Sequence, residues 1–342
     1  RDKLVTGVQT CALPIYYSLW GTVLYEAVRF QQNLTLLLNC SCNDLEMDDD
    51  RIRSVTGWQT TTQKWHTVEA SLFADCSGDS ILAPLSGAAF RVGREAADEF
   101  GESIAPARPS RETMGMSLLI QARETTSPQA FIPPTWAAKY AGDEDLPYRD
   151  HDLGNEEWMW NNFWWIEAGG DRDTIGDTEL VRDELLACAL GVWDHVKNRG
   201  DHHGENWVLD WMGFLPGKRE SRRYEGDYII NENDVREGGP FDDVVAYAGW
   251  PMDDHHPGGI HHKGKPSKLY ETPSPWGIPY RALYCRNVPN LYCAGRNISV
   301  SHVAFSSCRV MATCAILGQA VGTAAALAYA NGLAPREVGQ SQ

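Results

Sequence analysis

The clearest pattern of hydrophobic and polar positions lies near the end of the chain. A short apolar run, Leu291 to Ala294, ends at Gly295 and predicts a buried strand. A polar stretch, Arg296 to Ser307, follows and predicts a turn. Small and apolar residues then continue from Arg309 to a stop at Asn331-Gly332. Because glycine commonly ends helices in this way, the pattern predicts one long helix after the strand.

One face of this predicted helix carries almost no side chain. Small residues recur on it at helical spacing, namely Ala315, Gly318, Gly322 and Ala325. Such a face can lie against a backbone or a flat ligand, and a close-packed structural helix has the same pattern. The first amides of a helix are unpaired and carry partial positive charge. The start of this helix is therefore predicted to hold an acceptor group of a cofactor.

The first half of the chain alternates between helical and extended patterns. Apolar residues at helical spacing from Trp20 to Val28 predict a helix, and Leu34 to Asn39 predicts a buried strand. Two polar-apolar ribbons follow, at about Arg51 to Thr60 and Gln63 to Ala74. The second ribbon leads into a small, acidic glycine turn, Asp75 to Ser80. A second helix is predicted to begin within this turn.

The middle of the chain predicts four strands and one helix. The strands are Met114 to Arg123, Asn162 to Glu167, Trp207 to Leu215 and Val244 to Gly249. Asp177 to Lys197 has the spacing of an amphipathic helix. The residues predicted on its inner side are Leu180, Val181, Leu185, Leu186, Ala189, Trp193 and Val196. Ten of the thirteen tryptophans lie between Trp136 and Trp276; we expect most in cores, although an aromatic-lined substrate surface is the alternative.

Composition limits the class of protein. At 342 residues and 43% hydrophobic, the chain is long enough for two domains with their own cores. A formal net charge of -16 argues against nucleic acid or an anionic membrane as a partner. Nine scattered cysteines without a C-x-x-C spacing support neither a disulfide framework nor an iron-sulfur cluster. The alanine-rich C-terminal stretch contains the polar residues Thr313, Gln319 and Thr323, so we predict no membrane span.

The first candidate for chemistry is a basic cluster in an otherwise acidic chain. Pro216 to Tyr224 contains four cations and one anion in nine residues, directly after a predicted strand. Arginine can fix an anionic or hydroxyl-rich substrate, and it can stabilise negative charge that develops during a reaction. The candidate catalytic residues here are Arg219, Arg222 and Arg223. A solvated basic turn is the alternative.

The second candidate follows the predicted strand that ends at Gly249. Asp254, His255 and His256 lie together there, and a histidine beside carboxylates suits acid-base catalysis. A metal site is the rival interpretation, but adjacent histidines on an extended chain point to opposite sides. None of the pairs 202/203, 255/256 and 261/262 has the spacing of a compact site, so no metal is predicted. A surface loop remains an alternative, and His302 is a third catalytic candidate.

Several motifs resemble FAD-dependent oxidoreductases with two dinucleotide-binding domains, in particular a bacterial branch grouped with heterodisulfide-reductase A-like flavoproteins. The basic cluster resembles that branch's G-x-RE-S/T-RR motif, and the stretches Gly87 to Ala96 and Phe100 to Pro106 are also similar to it. The resemblance extends from Tyr16 to about Pro335. The C-terminal residues that carry it are Ala294-Gly295-Arg296-Asn297-Ile298-Ser299, His302, Ala304, Ser307, Arg309-Val310-Met311 and Gly318-Gln319-Ala320.

The resemblance implies an α/β fold with an incomplete Rossmann-like FAD-binding domain and an inserted α+β substrate domain. It assigns residues 16–104 and 284–342 to the FAD domain and residues 105–283 to the substrate domain. FAD is the implied cofactor. The residues implied to bind it are Asp75, Gly78, Asp79, Gly295, Arg296, Arg309, Val310, Met311 and Gly318. A plain helix cap is the alternative role for Asp79.

The first fifteen residues differ from the rest of the chain. Arg1 to Ile15 has no clear periodicity and lacks the features of a secretory signal. It resembles a translated sequencing adapter, so we expect it to be foreign, with a natural loop or strand as the alternative. The G-x-G-x-x-G loop that opens such flavoproteins does not occur in this sequence. We therefore expect this chain alone to hold FAD weakly and to be inactive; a cytoplasmic location is favoured.

The function expected from these features is hydride exchange between FAD and a small, polyhydroxylated molecule such as a sugar derivative, with an unknown electron acceptor. One alternative is a flavoprotein that transfers electrons within a larger complex, related to the heterodisulfide-reductase A-like proteins. Another is a non-enzymatic carbohydrate-binding module built on the tryptophan-rich part of the chain.

Overall fold

The computed structural model describes residues 17–154 and 163–339. The helices are α1 Tyr17–Arg29, α2 Leu82–Ser86, α3 Ala97–Phe100, α4 Thr178–Asn198, α5 Glu232–Arg236, α6 His302–Cys308, α7 Met311–Asn331 and α8 Pro335–Val338. The strands are β1 Cys40–Asp48, β2 Arg51–Gln59, β3 Lys64–Glu69, β4 Phe73–Asp75, β5 Phe90–Val92, β6 Met116–Ser117, β7 Ile120–Glu124, β8 Glu167–Ala168, β9 Trp207–Met212, β10 Gly217–Lys218, β11 Arg222–Tyr224, β12 Val244–Ala248, β13 Met252–His255, β14 Ser267–Tyr270, β15 Trp276–Pro279 and β16 Leu291–Cys293. This mixture fits the predicted α/β class, while the Rossmann-like and inserted-domain assignments stay predictions.

The strand pairs are short and mostly antiparallel. Strands β1, β2 and β3 form a meander, and β6 lies between β10 and β8. Four further antiparallel pairs join β11 to β5, β12 to β15, β13 to β14 and β7 to β9. Strand β4 instead runs parallel to β16, with Asp75 opposite Cys293. Neighbouring parallel strands end at the same edge of a sheet, so the turns after β4 and β16 are brought together.

Two clusters of buried apolar side chains hold these elements. The larger draws from residues 52–114 and 224–338, and Trp276, Tyr292 and Phe305 are among its fully buried members. The smaller draws from residues 116–196 together with Ile260, and it includes Trp165 and Trp193. These three tryptophans have the expected core role, whereas Trp136 and Trp211 are 56% and 46% exposed.

Several predicted elements are confirmed. Helix α1 covers the predicted span from Trp20 to Val28, and helix α4 matches its predicted bounds within one residue. Helix α7 ends where expected, because Gly332 adopts a left-handed φ of 66° and its amide donates to the carbonyls of Ala328 and Tyr329. Strand β16 is completely buried, as its apolar run predicts.

Four predictions from the pattern were wrong. Leu34 to Asn39 is not a strand, because no strand of the described residues lies alongside to form a hydrogen-bond ladder. The predicted turn Arg296 to Ser307 contains most of α6, which begins after an N-cap bond from the Ala304 amide to the Ser301 hydroxyl. Met114 to Arg123 divides into β6 and β7 of two sheets. The helix predicted to begin within Asp75 to Ser80 instead begins at Leu82, so the cap that was the alternative role for Asp79 does not apply.

Two further predictions failed for reasons of burial. Within the predicted strand Asn162 to Glu167, the described residues 163–165 form a turn and only Glu167 lies in a strand. Their apolar character reflects burial in the smaller core, not an extended backbone. Leu180 was expected on the inner face of α4 but is 64% exposed. It lies about 100° around the helix from the buried Val181, outside the apolar stripe.

Helix α7 has two different sides. Thr313, Leu317, Val321, Ala324 and Ala328 are buried against the larger core. The predicted small-residue face is open, since an added Cβ at Gly318 or Gly322 would meet no atom within 4 Å. By length and composition alone α7 meets the size of a membrane span, which is weak evidence because core helices of soluble proteins pass the same test. The expected absence of a membrane span stays a prediction.

Asn290 connects the β1–β3 meander to the larger core. Its buried side chain accepts a hydrogen bond from the Ile52 amide at 3.0 Å and donates to the Ile52 carbonyl at 2.8 Å. It also donates to the carbonyl of Ser71 at 3.3 Å, just before β4. One amide side chain thus satisfies both backbone groups of the buried Ile52 and the carbonyl of the exposed Ser71.

We predict that Asn290→Ala lowers the free energy of unfolding by about 2 to 4 kcal/mol, because it leaves buried backbone groups unpaired. The measurement is chemical denaturation followed by tryptophan fluorescence. Asn331→Ala is the control, since that side chain donates to the Leu327 carbonyl at an exposed helix end. Equal losses in both variants would contradict the connecting role of Asn290.

Candidate functional site

The turn after β4 is built around the Asp75 carboxylate. One oxygen accepts hydrogen bonds from the Ser77 amide and hydroxyl, at 2.9 and 2.6 Å. The other accepts from the Leu82 amide at 3.0 Å and from the Tyr224 hydroxyl at 2.7 Å. Asp75 therefore holds the turn and the start of α2, which is the capping role that the sequence suggested for Asp79.

Asp79 instead joins this turn to the turn after β16. Its carboxylate pairs with Arg296 at 2.7 Å and with Lys218 at 3.0 Å, and it accepts from the Ser221 hydroxyl at 2.7 Å. Burial alone would raise the pKa of Asp79, but the Ser221 hydrogen bond and the Arg296 charge hold it below its usual value. The carboxylate stays charged and keeps the two turns together.

Both glycines of these turns have left-handed backbone angles. Gly78 has a φ of 74° and Gly295 a φ of 99°. A Cβ on Gly78 would lie 2.9 Å from Nε of Arg296, so the turn packs directly on that side chain. The structure thus places five predicted cofactor residues at the carboxyl edge of the parallel strands: Asp75, Gly78, Asp79, Gly295 and Arg296.

A cavity of about 620 Å³ opens at the start of α7. Val310 is the N-cap, and no side chain caps the helix there. The amides of the first turn therefore have no partner within the helix. Strands β12, β13 and β14 and the first turn of α7 all contribute to the cavity wall. Its lining includes Trp164, Arg219, Tyr247, Trp250, Asp253, His255, Arg309, Val310, Met311, Ala312 and Thr313.

Charged side chains form one wall of this cavity, with His255 at their centre. Its Nδ1 lies 2.8 Å from the Glu167 carboxylate and its Nε2 lies 3.0 Å from Oδ2 of Asp253. Arg219 pairs with Glu167 at 3.3 Å, and Arg309 pairs with Asp253 at 3.4 Å. Two carboxylates and two guanidinium groups thus surround one imidazole.

The surroundings keep both carboxylates ionised. Burial alone would raise the pKa of Glu167, but the charges of Arg219 and His255 hold it below its usual value. Burial also opposes ionisation of Asp253, whose pKa is lowered by the His255 hydrogen bond and charge and by Arg309. Burial and then the neighbouring Arg219 lower the pKa of Arg309, although an arginine remains protonated near neutral pH.

Two buried polar atoms of the residues that line this wall lack a hydrogen-bond partner among the described residues. They are Oδ1 of Asp253, an acceptor, and Nε of Arg309, a donor. Buried polar atoms normally have partners, so an unpaired acceptor beside an unpaired donor suits a ligand with hydroxyl groups.

A second charged network lies behind the cavity wall, centred on His302. Nδ1 of His302 contacts Glu220 at 2.9 Å, and Nε2 contacts Asp254 at 3.1 Å. The carboxylate of Asp254 in turn accepts hydrogen bonds from both terminal nitrogens of Arg94, each at 3.0 Å. Glu220 also pairs with the fully buried Arg223 at 3.1 Å. His302, Arg223 and Glu220 are buried and do not line the cavity. Their contacts therefore indicate that this network supports the cavity wall from behind.

The predicted catalytic residues are therefore divided among different places. Arg219 and His255 line the cavity, whereas Arg223, Asp254 and His302 lie in the network behind it. Arg222 lines a different cavity, where its guanidinium lies over Phe90 at 5.6 Å. His256 is exposed and stacks on His262 with ring centroids 3.5 Å apart.

Of the predicted cofactor residues, Arg309, Val310 and Met311 line the cavity, and Gly318 lies on the open face of α7.

Sequence reasoning missed Asp253, Glu167 and Trp164. Asp253 is next to a predicted residue, and the alternation of side chains along a strand could have identified it, since Asp253 and His255 share one side of β13. Glu167 and Trp164 carried no signal, because the contacts that matter are with residues far along the chain.

We predict that His302 stabilises the protein more at acidic than at alkaline pH. Burial alone would lower the pKa of His302, but the charge of Glu220 and the hydrogen bonds to Asp254 and Glu220 raise it. A histidine whose pKa is higher in the folded than in the unfolded state stabilises the fold fully below its unfolded pKa of about 6.5. That stabilisation is lost as pH rises through the folded pKa. His302→Gln should lower Tm most near about pH 6 and progressively less toward about pH 9, in contrast to the exposed control His256→Gln. A Tm difference that does not vary with pH would refute a charged His302.

Comparison with known proteins places the chain in a family. The family model described as FAD dependent oxidoreductase matches residues 5–342, which includes most of the stretch predicted to be foreign; residues 1–16 lie outside the described part of the structure. No curated protein and no solved structure matches the chain. The family match spans nearly the whole sequence and implies FAD as the cofactor of an oxidoreductase. The chain belongs to the FAD-dependent oxidoreductase family.

Proposed function

We propose that the cavity at the start of α7 is where bound FAD meets a small, polyhydroxylated substrate. The observation that carries this proposal is the convergence of an uncapped helix start with the charged wall around His255 in one cavity. When bound, FAD supplies the hydride acceptor or donor. The chain's own residues bind and orient the substrate and manage its proton and charge.

The residues present fit one end of this cofactor. The first amides of α7, at Met311, Ala312 and Thr313, are donors without partners in the helix and suit the polar edge of a flavin ring. The glycine turns at Gly78 and Gly295, with their left-handed backbone angles, suit the adjoining part of the cofactor. No residues are assigned to the pyrophosphate, and weak binding of FAD by this chain stays a prediction.

The substrate hydroxyl is assigned to Asp253. Its Oδ1 is a buried acceptor without a hydrogen-bond partner among the described residues, and its Oδ2 is held by His255 and Arg309. A hydroxyl group that donates to Oδ1 would be aligned to lose its proton to the Asp253 carboxylate as hydride leaves the same carbon, while His255 holds that carboxylate in place. Glu167, on the other ring nitrogen of His255, fixes the imidazole in place.

The same wall also carries positive charge, which can stabilise negative charge on the substrate. Arg219 and Arg309 both line the cavity and are held by the carboxylates of Glu167 and Asp253. A fixed guanidinium stabilises negative charge on substrate oxygen without having to reorganise. Trp164 and Trp250 provide flat apolar surface beside these groups, and this combination favours a substrate with both hydroxyl groups and an apolar ring face.

We predict that Arg219→Ala slows substrate-dependent reduction of bound FAD by about 100- to 1,000-fold, because one charge-assisted donor is lost where charge develops. The measurement is anaerobic stopped-flow absorbance on FAD-loaded protein, with a panel of polyols and sugars. Arg222→Ala is the matched control, since Arg222 lies in the other cavity. Equal reduction rates in the two variants would remove Arg219 from the site.

We predict that Asp253→Asn and His255→Asn each slow the same reduction step by about 100-fold or more, since the first removes the proton acceptor and the second removes the group that holds it in place. His256→Asn is the control, because the adjacent histidine is exposed and stacks on His262 instead. If His256→Asn is as slow as His255→Asn, the role assigned to the charged wall is wrong. FAD content is measured for every variant, so that loss of cofactor is separated from loss of chemistry.

A further inference from the structure

Three histidines and one aspartate meet in the part of the chain around α4. Asp143 begins a short 3-10 turn and His151 follows in the next loop. His195 lies in the last turn of α4, and His202 lies in the loop after it. The three imidazoles are at most 9% exposed, while the Asp143 side chain reaches them from the surface. None of these residues lines the candidate active-site cavity.

The side-chain atoms of these four residues converge on one point. One ligand atom from each residue lies within 4.8 Å of all the others. Oδ1 of Asp143 is 3.2 Å from Nε2 of His195, 3.4 Å from Nε2 of His202 and 3.6 Å from Nε2 of His151. The Nε2 atoms of His195 and His151 are 3.3 Å apart.

The backbone around the cluster fixes which ring nitrogen carries hydrogen. Nδ1 of His195 lies 3.0 Å from the carbonyl of Tyr140, and Nδ1 of His151 lies 2.6 Å from that of Arg149. A carbonyl only accepts, so each Nδ1 is the donor and each neutral ring presents a lone pair at Nε2. Two such lone pairs face one another at 3.3 Å, which is unfavourable unless a positive charge lies between them.

His202 supports the same conclusion independently. Its Nε2 is buried and has no hydrogen-bond partner among the described residues, although it points toward the other three groups. Buried polar atoms rarely remain unpaired, so this nitrogen also calls for a ligand at the shared point.

We propose that Asp143, His151, His195 and His202 bind one divalent transition-metal ion, with Zn²⁺ the best match. Zinc lies about 2.0 to 2.2 Å from nitrogen and oxygen ligands, so the ligands of a regular tetrahedron are about 3.3 to 3.6 Å apart. Four of the six separations among these atoms, at 3.2 to 3.6 Å, agree with that geometry, and all the ligand atoms lie within 4.8 Å of one another. Histidines that donate Nδ1–H to a carbonyl are also the usual outer-shell arrangement of metal ligands.

Four protein ligands complete a tetrahedral shell, which is the pattern of a structural site. The ion would tie the loop of Asp143 and His151 to the end of α4 and to the loop after it. Its role is therefore to hold the end of α4 against two loops, not to take part in the redox step.

The test is metal analysis of the purified full chain, free of any histidine tag and incubated with Zn²⁺ before desalting. We expect about one zinc per chain by mass spectrometry and intense visible absorption of tetrahedral type after replacement by Co²⁺. His202→Asn and Asp143→Asn should retain less than about a tenth of the metal under the same desalting. The matched control is His203→Asn, since that exposed neighbour contacts Asp152 instead.

Thermal unfolding provides the second readout. A chelator should lower Tm of the parent chain and of His203→Asn but leave His202→Asn unchanged, because metal bound only by the folded state stabilises it. Asp143→Asn keeps the experiment decisive if a buried histidine variant fails to fold, since Asp143 is at the surface. Absence of stoichiometric metal in the parent chain, or equal metal in Asp143→Asn and His203→Asn, would overturn the proposal and leave a histidine–carboxylate cluster without metal.

Discussion

The pairing of Glu220 with His302 and Arg223 is the constraint on which the site depends. Glu220 is fully buried, and its carboxylate also accepts from the Met114 amide at 2.9 Å. A buried charge left without partners would be strongly destabilising, so strand β11, helix α6 and the chain before β6 must meet at this point. The neighbours of Glu220 point elsewhere, since Arg219 lines the cavity and Ser221 reaches Asp79.

The same segment connects two parts of the molecule that are far apart in sequence. Lys218 and Ser221 contact the turn after β4, and Arg219 contacts Glu167 near the smaller core. The carboxyl edge of the parallel strands and the charged wall of the cavity are therefore held by one short stretch of chain, residues 218–223. This arrangement explains how glycine turns suited to a cofactor and a wall suited to a polar substrate can lie beside one helix start.

The sequence predicted those features that depend on neighbours along the chain. The glycine stop of α7, the apolar run of β16 and the spacing of α4 are local signals, and each was confirmed. It did not predict what long-range contacts decide. Leu34 to Asn39 has the pattern of a strand but has no described partner strand, and Arg222 is as basic as Arg219 but lies in another cavity. In the histidine cluster, Asp143 and His195 are 52 positions apart, so spacing rules that favoured no metal could not detect it.

The most direct test of the central claim is a crystal structure of the protein loaded with FAD. We expect the isoalloxazine ring to lie at the first turn of α7, with its reactive face toward Arg219 and Asp253 and its polar edge near the amides of Met311 to Thr313. A ring bound elsewhere, for example in the cavity beside Arg222 and Phe90, would contradict it.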